Sequence, residues 1–498
     1  MGRLPRRVGM AIAVLALGVA ALPRGVRAQS EELRRELEAM RRQLRDVQEQ
    51  VRKQEELNRR QAEINKRQEE LIRKLTAERA AAPSPAAPVE TAAAPSPAAP
   101  APPAAPTVPP PSQPWSPAQP LTLLSGARGY LNLSFDALMD LGWSTTPDVT
   151  TIERGDHDPL QRGFTLPNEE IFIDGAVDPY FKGVADLVFK LDKDNATEVE
   201  LEEVYLTTMA LPWNLQAKAG QFFTEFGRLN QQHPHAWDFV DQPLVIGRMF
   251  GPEGLRNPGA RLSWLVPTPF YSELFVAAQN SHGDTAFSFR NTEDALFGRT
   301  PIDRPVRNPG DLLYVPRYVA SFDLTDSQTL VTGLSGAFAP NASGRDTRTQ
   351  VYGADVYWKW KPSWQSGGFP FVSWQTEALG RRYEAGAATV ERVGLPPLAL
   401  PRETLGDWGL YSQVLYGFTY RWVAGLRGDW VDGDRGAFTP DENRAQQYRI
   451  SPNLTFYPTE FSKLRLQYNY DHGKLHGDDN SVWAQVEFLL GSHAAHKF

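Results

Sequence analysis

From about residue 128 to the C-terminus, apolar and polar residues alternate in short segments. A side chain in a β-strand points to the opposite face from its neighbour, so this period of two predicts strands. The pattern predicts strands at 128–138, 169–177, 181–191, 199–209, 214–223, 259–267, 271–279 and 313–323. It continues at 329–338, 349–361, 369–379, 409–420, 423–432, 446–457, 463–471 and 481–491. The short connectors, 178–180, 210–213, 268–270, 324–328, 362–368, 421–422 and 458–462, all follow an even-numbered strand. The long ones, 139–168, 224–258, 280–312, 380–408 and 433–445, all follow an odd-numbered strand. An even strand number with alternately tight and long connections is the pattern of a transmembrane β-barrel. It implies about sixteen antiparallel strands, with tight turns and both termini in the periplasm and long loops outside.

The alternation also assigns faces. Ala424, Leu426, Gly428 and Trp430 lie opposite Arg427 and Asp429. Tyr448, Ile450, Leu454 and Phe456 lie opposite Arg449, Ser451, Asn453 and Thr455. Leu464, Leu466, Tyr468 and Tyr470 lie opposite Lys463, Arg465, Gln467 and Asn469. Val482, Val486, Phe488 and Leu490 lie opposite Gln485 and Glu487. An Arg or Lys facing lipid at mid-bilayer costs about 2–4 kcal/mol, so the charged faces are expected to turn inward. The expectation is that Arg427, Arg449 and Arg465 border water, with Lys218, Arg261, Asp429 and Glu487 also lining the pore. Trp213, Trp360 and Trp422 fall near short turns, where an aromatic girdle belongs.

Upstream, the pattern changes three times. Residues 1–28 read as a secretory signal: Arg3, Arg6 and Arg7 precede an apolar run from Gly9 to Leu22, and Val26-Arg27-Ala28 offers small residues for cleavage. Residues 29–80 read as a coiled coil. Leu33, Leu37, Met40, Leu44, Val47 and Val51 are spaced by four and three, and the seam resumes at Leu57, Ile64, Leu71 and Leu75. Residues 81–120 form a Pro/Ala linker in which APSPAAP occurs twice. Such a segment is an extended spacer. Residues 121–498 are the expected barrel domain.

Composition narrows the chemistry. The 498 residues carry a net charge of −7, too mild to suggest a nucleic-acid partner, and the mean hydropathy of −0.42 leaves no room for helical spans. There is no cysteine, which excludes thiolate catalysis, disulfides and lipoprotein anchoring. No GxSxG, P-loop or dinucleotide fingerprint is present, so no enzyme and no cofactor are expected. His233-Pro234-His235 and the pair His493/His496 raise a metal site, but no compact set of three or four ligands is visible in sequence, and none is predicted.

A barrel of sixteen strands leaves a lumen wide enough for water unless a segment folds into it. Connector 224–258 is the candidate segment. Glu225, Arg228, His233, His235, Asp238, Asp241, Arg248, Glu253 and Arg256 are interleaved there with Trp237, Phe239 and Phe250. Glu225, Arg228, Asp238, Asp241 and Arg248 are the expected constriction residues.

The stretch Gln221-Phe222-Phe223-Thr224-Glu225-Phe226-Gly227-Arg228, then Gln242-Pro243-Leu244, then Asn257-Pro258-Gly259-Ala260-Arg261-Leu262, resembles the corresponding segment of phosphate-selective porin O/P-like proteins. The resemblance covers about residues 125–498. It implies a sixteen-stranded homotrimeric outer-membrane porin in which this segment is a strand, a constriction loop and the next strand. Some relatives carry an N-terminal coiled coil. The family's ladder of lumen arginines and lysines has only a partial counterpart here. A terminal Phe498 after an alternating strand resembles the signal read by the barrel-assembly machinery.

The expected function is therefore passive diffusion of small hydrophilic solutes through a water-filled channel with weak anion preference. Two alternatives stand beside it. One is an outer-membrane tether reaching the cell wall through the coiled coil. The other is a receptor-like barrel for a metal or siderophore, against which the absence of a plug domain argues.

Overall fold

The computed structural model describes residues 121–491 apart from 127–128, 153–154, 294, 393–394, 439–444 and 475–476. The expected signal, coiled coil and linker, the tail histidines and Phe498 lie outside the described residues.

Nineteen strands are described. They are β1 Leu121–Gly126, β2 Gly129–Ser144, β3 Gly163–Ala176, β4 Phe181–Leu191, β5 Thr197–Thr208, β6 Leu215–Phe223 and β7 Arg256–Leu265. Next come β8 Tyr271–Gln279, β9 Leu313–Thr325, β10 Gln328–Pro340, β11 Arg348–Trp360, β12 Phe371–Ala385, β13 Ala388–Arg392 and β14 Leu395–Leu400. The last are β15 Glu403–Thr419, β16 Trp422–Gly433, β17 Gln447–Thr459, β18 Ser462–Gly473 and β19 Gly477–Leu490.

Strands β2 to β11 each pair antiparallel with the next strand, β12 pairs β15, and β15 to β19 continue the series. β19 then pairs back onto β2, from Ser481↔Ser144 to Leu490↔Phe135, and the sheet closes on sixteen strands as expected. β13 and β14 form a separate hairpin inside the connector between β12 and β15. β1 occupies the edge of β2 beyond the end of β19, with Leu121 opposite Leu133 and Gly126 opposite Gly129. Pairing the last strand with β2 satisfies strand ends that hydrocarbon would leave without partners.

Strand boundaries differ from expectation where glycines and charges resemble loop signals. β2 runs on to Ser144 rather than stopping at residue 138. Gly142 belongs there because the Trp483 ring lies against it and leaves no room for a Cβ. β12 and β15 extend past Gly380 and Gly406, and Arg381 faces Asp407 across the pair. Their guanidinium and carboxylate meet at 2.5 Å with both side chains fully buried, so charges that resemble a loop in sequence join the ladder instead.

The outer face is apolar: Leu426, Ile450, Leu464, Leu466, Val482 and Phe488 are all exposed, while Arg427, Arg449, Arg465 and Gln485 on the opposite face are buried. Aromatic residues mark both rims. Trp213, Tyr420 and Trp422 are exposed near the short turns; Trp143, Phe164 and Trp408 are exposed near the long connectors. This is the surface of a barrel that crosses a bilayer.

The largest apolar core lies inside the barrel. Phe226, Leu229, Leu244, Val245, Ile246, Met249, Phe250 and Leu255 from connector 224–255 pack with Ala286 and Phe289 from connector 280–312. They meet Leu313, Val315, Ala337, Ala339, Val351, Leu379 and Val431 at the long-connector ends of the wall strands. The connector expected to enter the lumen does so, and with connector 280–312 it packs that half with apolar side chains. The reason is physical: small and apolar inner-face residues on β8 to β16 give the loops a surface to bury against.

Candidate functional site

Connector 224–255 folds into the barrel and meets strands on its far side. Its center is a short helix, α1, Leu244–Phe250, all seven residues of which are buried. The helix packs against β12, β15 and β16. A seven-residue helix has little stability of its own, so its apolar contacts and polar anchors hold it.

The anchors on one side are basic. Asp241 lies 2.6 Å from Arg427 and 2.9 Å from Arg449, and accepts hydrogen bonds from Gln467 at 3.0 Å and Asn469 at 2.6 Å. Asp429 and Asp471 complete the pairs, with Arg427 and Arg449 respectively, both at 2.8 Å. Lys463 and Arg465 donate to the loop carbonyls of His235 and Trp237. Burial works against ionisation of Asp241, but the Arg427 and Arg449 guanidinium groups hold its carboxyl below the ordinary aspartate value. Glu377 adds a further anchor by accepting the backbone N–H groups of Arg228 and Leu229 and the Tyr411 hydroxyl.

The opposite wall is acidic. Asp136 on β2, Glu170 on β3, Asp186 on β4 and Glu202 on β5 are each 0% exposed. The loop presents His233 and His235 to them. His235 Nδ1 lies 3.1 Å from Glu170, and His233 Nε2 lies 3.2 Å from Glu203. Burial opposes charge on His233, yet the Glu202 and Glu170 carboxylates raise it well above the ordinary histidine value. The loop therefore places histidines against acids and aspartates against arginines.

Below the loop, on the short-turn side, a cavity of about 1080 Å³ is bordered by Arg228, Gln232 and Asp238 from the loop, by Lys359 and Ser373, and by Arg421 and Glu460 near the turns. Arg228 stacks 3.9 Å from the Tyr357 ring center, Lys359 lies 5.6 Å from that of Phe371, and Arg421 lies 4.9 Å from that of Tyr420. None of these three cations is in an ion pair among the described residues.

The expected site residues divide accordingly. Arg427, Arg449 and Arg465 face inward as the alternation requires, but the loop covers them, so they do not border water. Asp429 and Glu487 are likewise taken up, in pairs with Arg427 and Lys463. Lys218 and Arg261 converge on Glu225 at 3.2 and 3.0 Å. Burial opposes the charge of Glu225, but those two cations hold its carboxyl below the ordinary value. Arg248 is buried and donates to the Ala445 carbonyl. Of the expected residues, Arg228 and Asp238 border the cavity. Lys359 carried a sequence signal as an inward-facing cation in 349–361. Arg421 lies in a two-residue turn, where period-two reasoning assigns no face.

A closed sixteen-strand barrel with an apolar outer belt and a loop folded into its lumen defines a transmembrane β-barrel of porin-type architecture. No family model matches the chain. An uncharacterized protein of Aquifex aeolicus (strain VF5) is 33% identical over 360 residues, spanning 68% of this chain and 71% of that one, and the chain belongs to the same family as that protein. Among solved structures, the outer-membrane channel DcaP of Acinetobacter baumannii aligns over 75% of this chain and 100% of its own, with 14% identity and a TM-score of 0.49. The anion-selective porin from Comamonas acidovorans aligns over 73% and 100%, with 7% identity and a TM-score of 0.46. OprB of Pseudomonas putida aligns over 72% and 94%, with 11% identity and a TM-score of 0.43.

Proposed function

We propose that this protein is an outer-membrane channel for passive passage of small hydrophilic solutes, constricted by connector 224–255 and weakly anion-preferring. The observation that carries this reading is the cavity beneath the loop. It is lined by Arg228, Lys359 and Arg421 against Asp238 and Glu460, so cations exceed acids on its surface. Fixed charge bordering a water path biases ion passage. The resemblance of 221–262 to phosphate-selective porin O/P-like proteins supports the same direction. In this reading the short turns face the periplasm, the assembly is a homotrimer, and Phe498 engages the assembly machinery.

Single-channel recording in planar bilayers tests it. The full chain is expected to conduct, and the triple variant Arg228→Gln, Lys359→Gln, Arg421→Gln to shift its reversal potential toward cations under a salt gradient. An unchanged reversal potential removes these residues from selectivity. The apolar core in the long-connector half of the lumen supports a second reading, a closed barrel that serves as the outer-membrane anchor for an N-terminal segment reaching the cell wall. A folded protein that inserts without conducting selects that reading.

A further inference from the structure

Four side chains from four different elements converge where the loop meets the acidic wall. Glu170, Asp186, Glu202 and His233 each offer a ligand atom, and these atoms lie within 4.8 Å of one another. His233 Nδ1 is 2.7 Å from Glu202 Oε2, 3.2 Å from Asp186 Oδ2 and 3.5 Å from Glu170 Oε1. One ring nitrogen bears at most one hydrogen, so it cannot serve three carboxylates. The 3.2 and 3.5 Å separations are near what a shared cation would set, and the 2.7 Å one is of hydrogen-bond length. Around a first-row divalent ion with bonds of about 2.1 Å, adjacent ligands stand about 3.0–3.4 Å apart.

Two further features point to a ligand. Both oxygens of Asp186 accept no hydrogen bond among the described residues, although the residue is fully buried. Buried carboxylate oxygens left this way are costly. The cations beside Glu202 stand farther off: His157 Nε2 lies 3.5 Å and Arg256 3.8 Å from it, and Arg256 also binds Glu200 and Glu253 at 3.1 and 3.0 Å. Meanwhile His233 Nε2 faces Glu203, the outer-shell contact that orients a metal-binding imidazole and leaves its other nitrogen for the ion.

We propose that Glu170, Asp186, Glu202 and His233 bind one divalent transition-metal ion that fastens the constriction loop to the acidic wall. One imidazole with carboxylates, in a chain without cysteine, suits Zn²⁺, Mn²⁺ or Fe²⁺ and disfavours Cu(I). The site is independent of what the channel conducts.

The full-length protein, purified without a histidine tag, is stripped with chelator and titrated with Zn²⁺ or Mn²⁺ alone. Calorimetry and elemental analysis are expected to give one ion per chain and a higher unfolding temperature when loaded. Asp186→Asn and His233→Ala are each expected to lose at least about 10-fold in affinity, while the His493→Ala, His496→Ala variant retains it. Heat-modifiable gel mobility verifies that each variant is a folded barrel. If His233→Ala does not fold, the near-isosteric Asp186→Asn decides alone. Substoichiometric binding by the parent chain, or equal affinity in parent and Asp186→Asn, overturns the proposal. Loss of binding in the tail variant does so too.

Discussion

On the wall formed by β16 to β18, basic residues receive loop aspartate and loop carbonyls, and nearly every charge has a partner within 3 Å. On the wall formed by β2 to β5, carboxylates outnumber the cations that reach them, and among the described residues Asp136 and Asp186 accept no hydrogen bonds. The same loop spans both. The difference teaches that inward-facing charge is not one property. On the first wall it is neutralised by the protein itself and serves as an anchor; on the second it is in excess and awaits a proton or an ion.

The largest effect is expected at Asp241. Asp241→Ala leaves Arg427 and Arg449 buried without their shared partner, and breaking a buried pair costs about 3–5 kcal/mol. The urea midpoint should fall and single-channel conductance rise as the loop loosens. A midpoint within error of the parent would mean that the basic wall is not the anchor. On the outer face, Leu426→Arg sits one residue from Arg427 yet meets lipid, and should cost about 2–4 kcal/mol in a bilayer-refolding titration. A neutral result would contradict the assignment of faces.

A smaller, pH-dependent effect is expected at Asp158, which accepts the Gln242 N–H at 2.8 Å beside the basic anchor. Burial, reinforced by the Asp241 charge, pushes its carboxyl up to about 6. A raised carboxyl favours the folded state below the unfolded value and loses that contribution as pH rises through the folded one. Stability attributable to Asp158 should therefore decline between about pH 4 and its loss near pH 6, and Asp158→Asn should flatten the slope over that range in denaturation curves. A slope equal to that of the parent assigns the pH dependence elsewhere. The smallest effect is expected at Asp136, where Asp136→Asn in metal-free protein should change the midpoint by less than about 1 kcal/mol, because neither oxygen accepts a hydrogen bond that the substitution removes. A loss as large as that at Asp241 would erase the contrast between the walls.

Much of the barrel was legible in the chain. The alternation in 423–432, 446–457, 463–471 and 481–491 placed each inward charge on its observed face, because a single-residue slip would put arginines into lipid. The parity of short and long connectors gave the closed sixteen strands. The loop that enters the lumen was legible from its mixed charge and aromatic content. What it does there was not. Arg427 and Asp241 are 186 positions apart, and nothing local shows that they pair. The apolar inner residues Leu313, Val315, Ala337 and Val351 carried a weak signal: apolar residues on the inner face of a strand that should border water.

The histidines show the boundary most sharply. His233-Pro234-His235 suggested a metal, and the expectation of no site followed from finding no third ligand nearby in sequence. The carboxylates that surround His233 come from residues 170, 186 and 202, on three adjacent strands. Strand identity, face and order follow from the chain itself, because hydrogen-bond closure and the cost of charge in lipid act on every residue locally. Only the tertiary structure decided which inward charges meet water, which meet the loop and which meet one another, because that depends on how a 32-residue connector from 224 to 255 buries its apolar side chains inside a closed barrel.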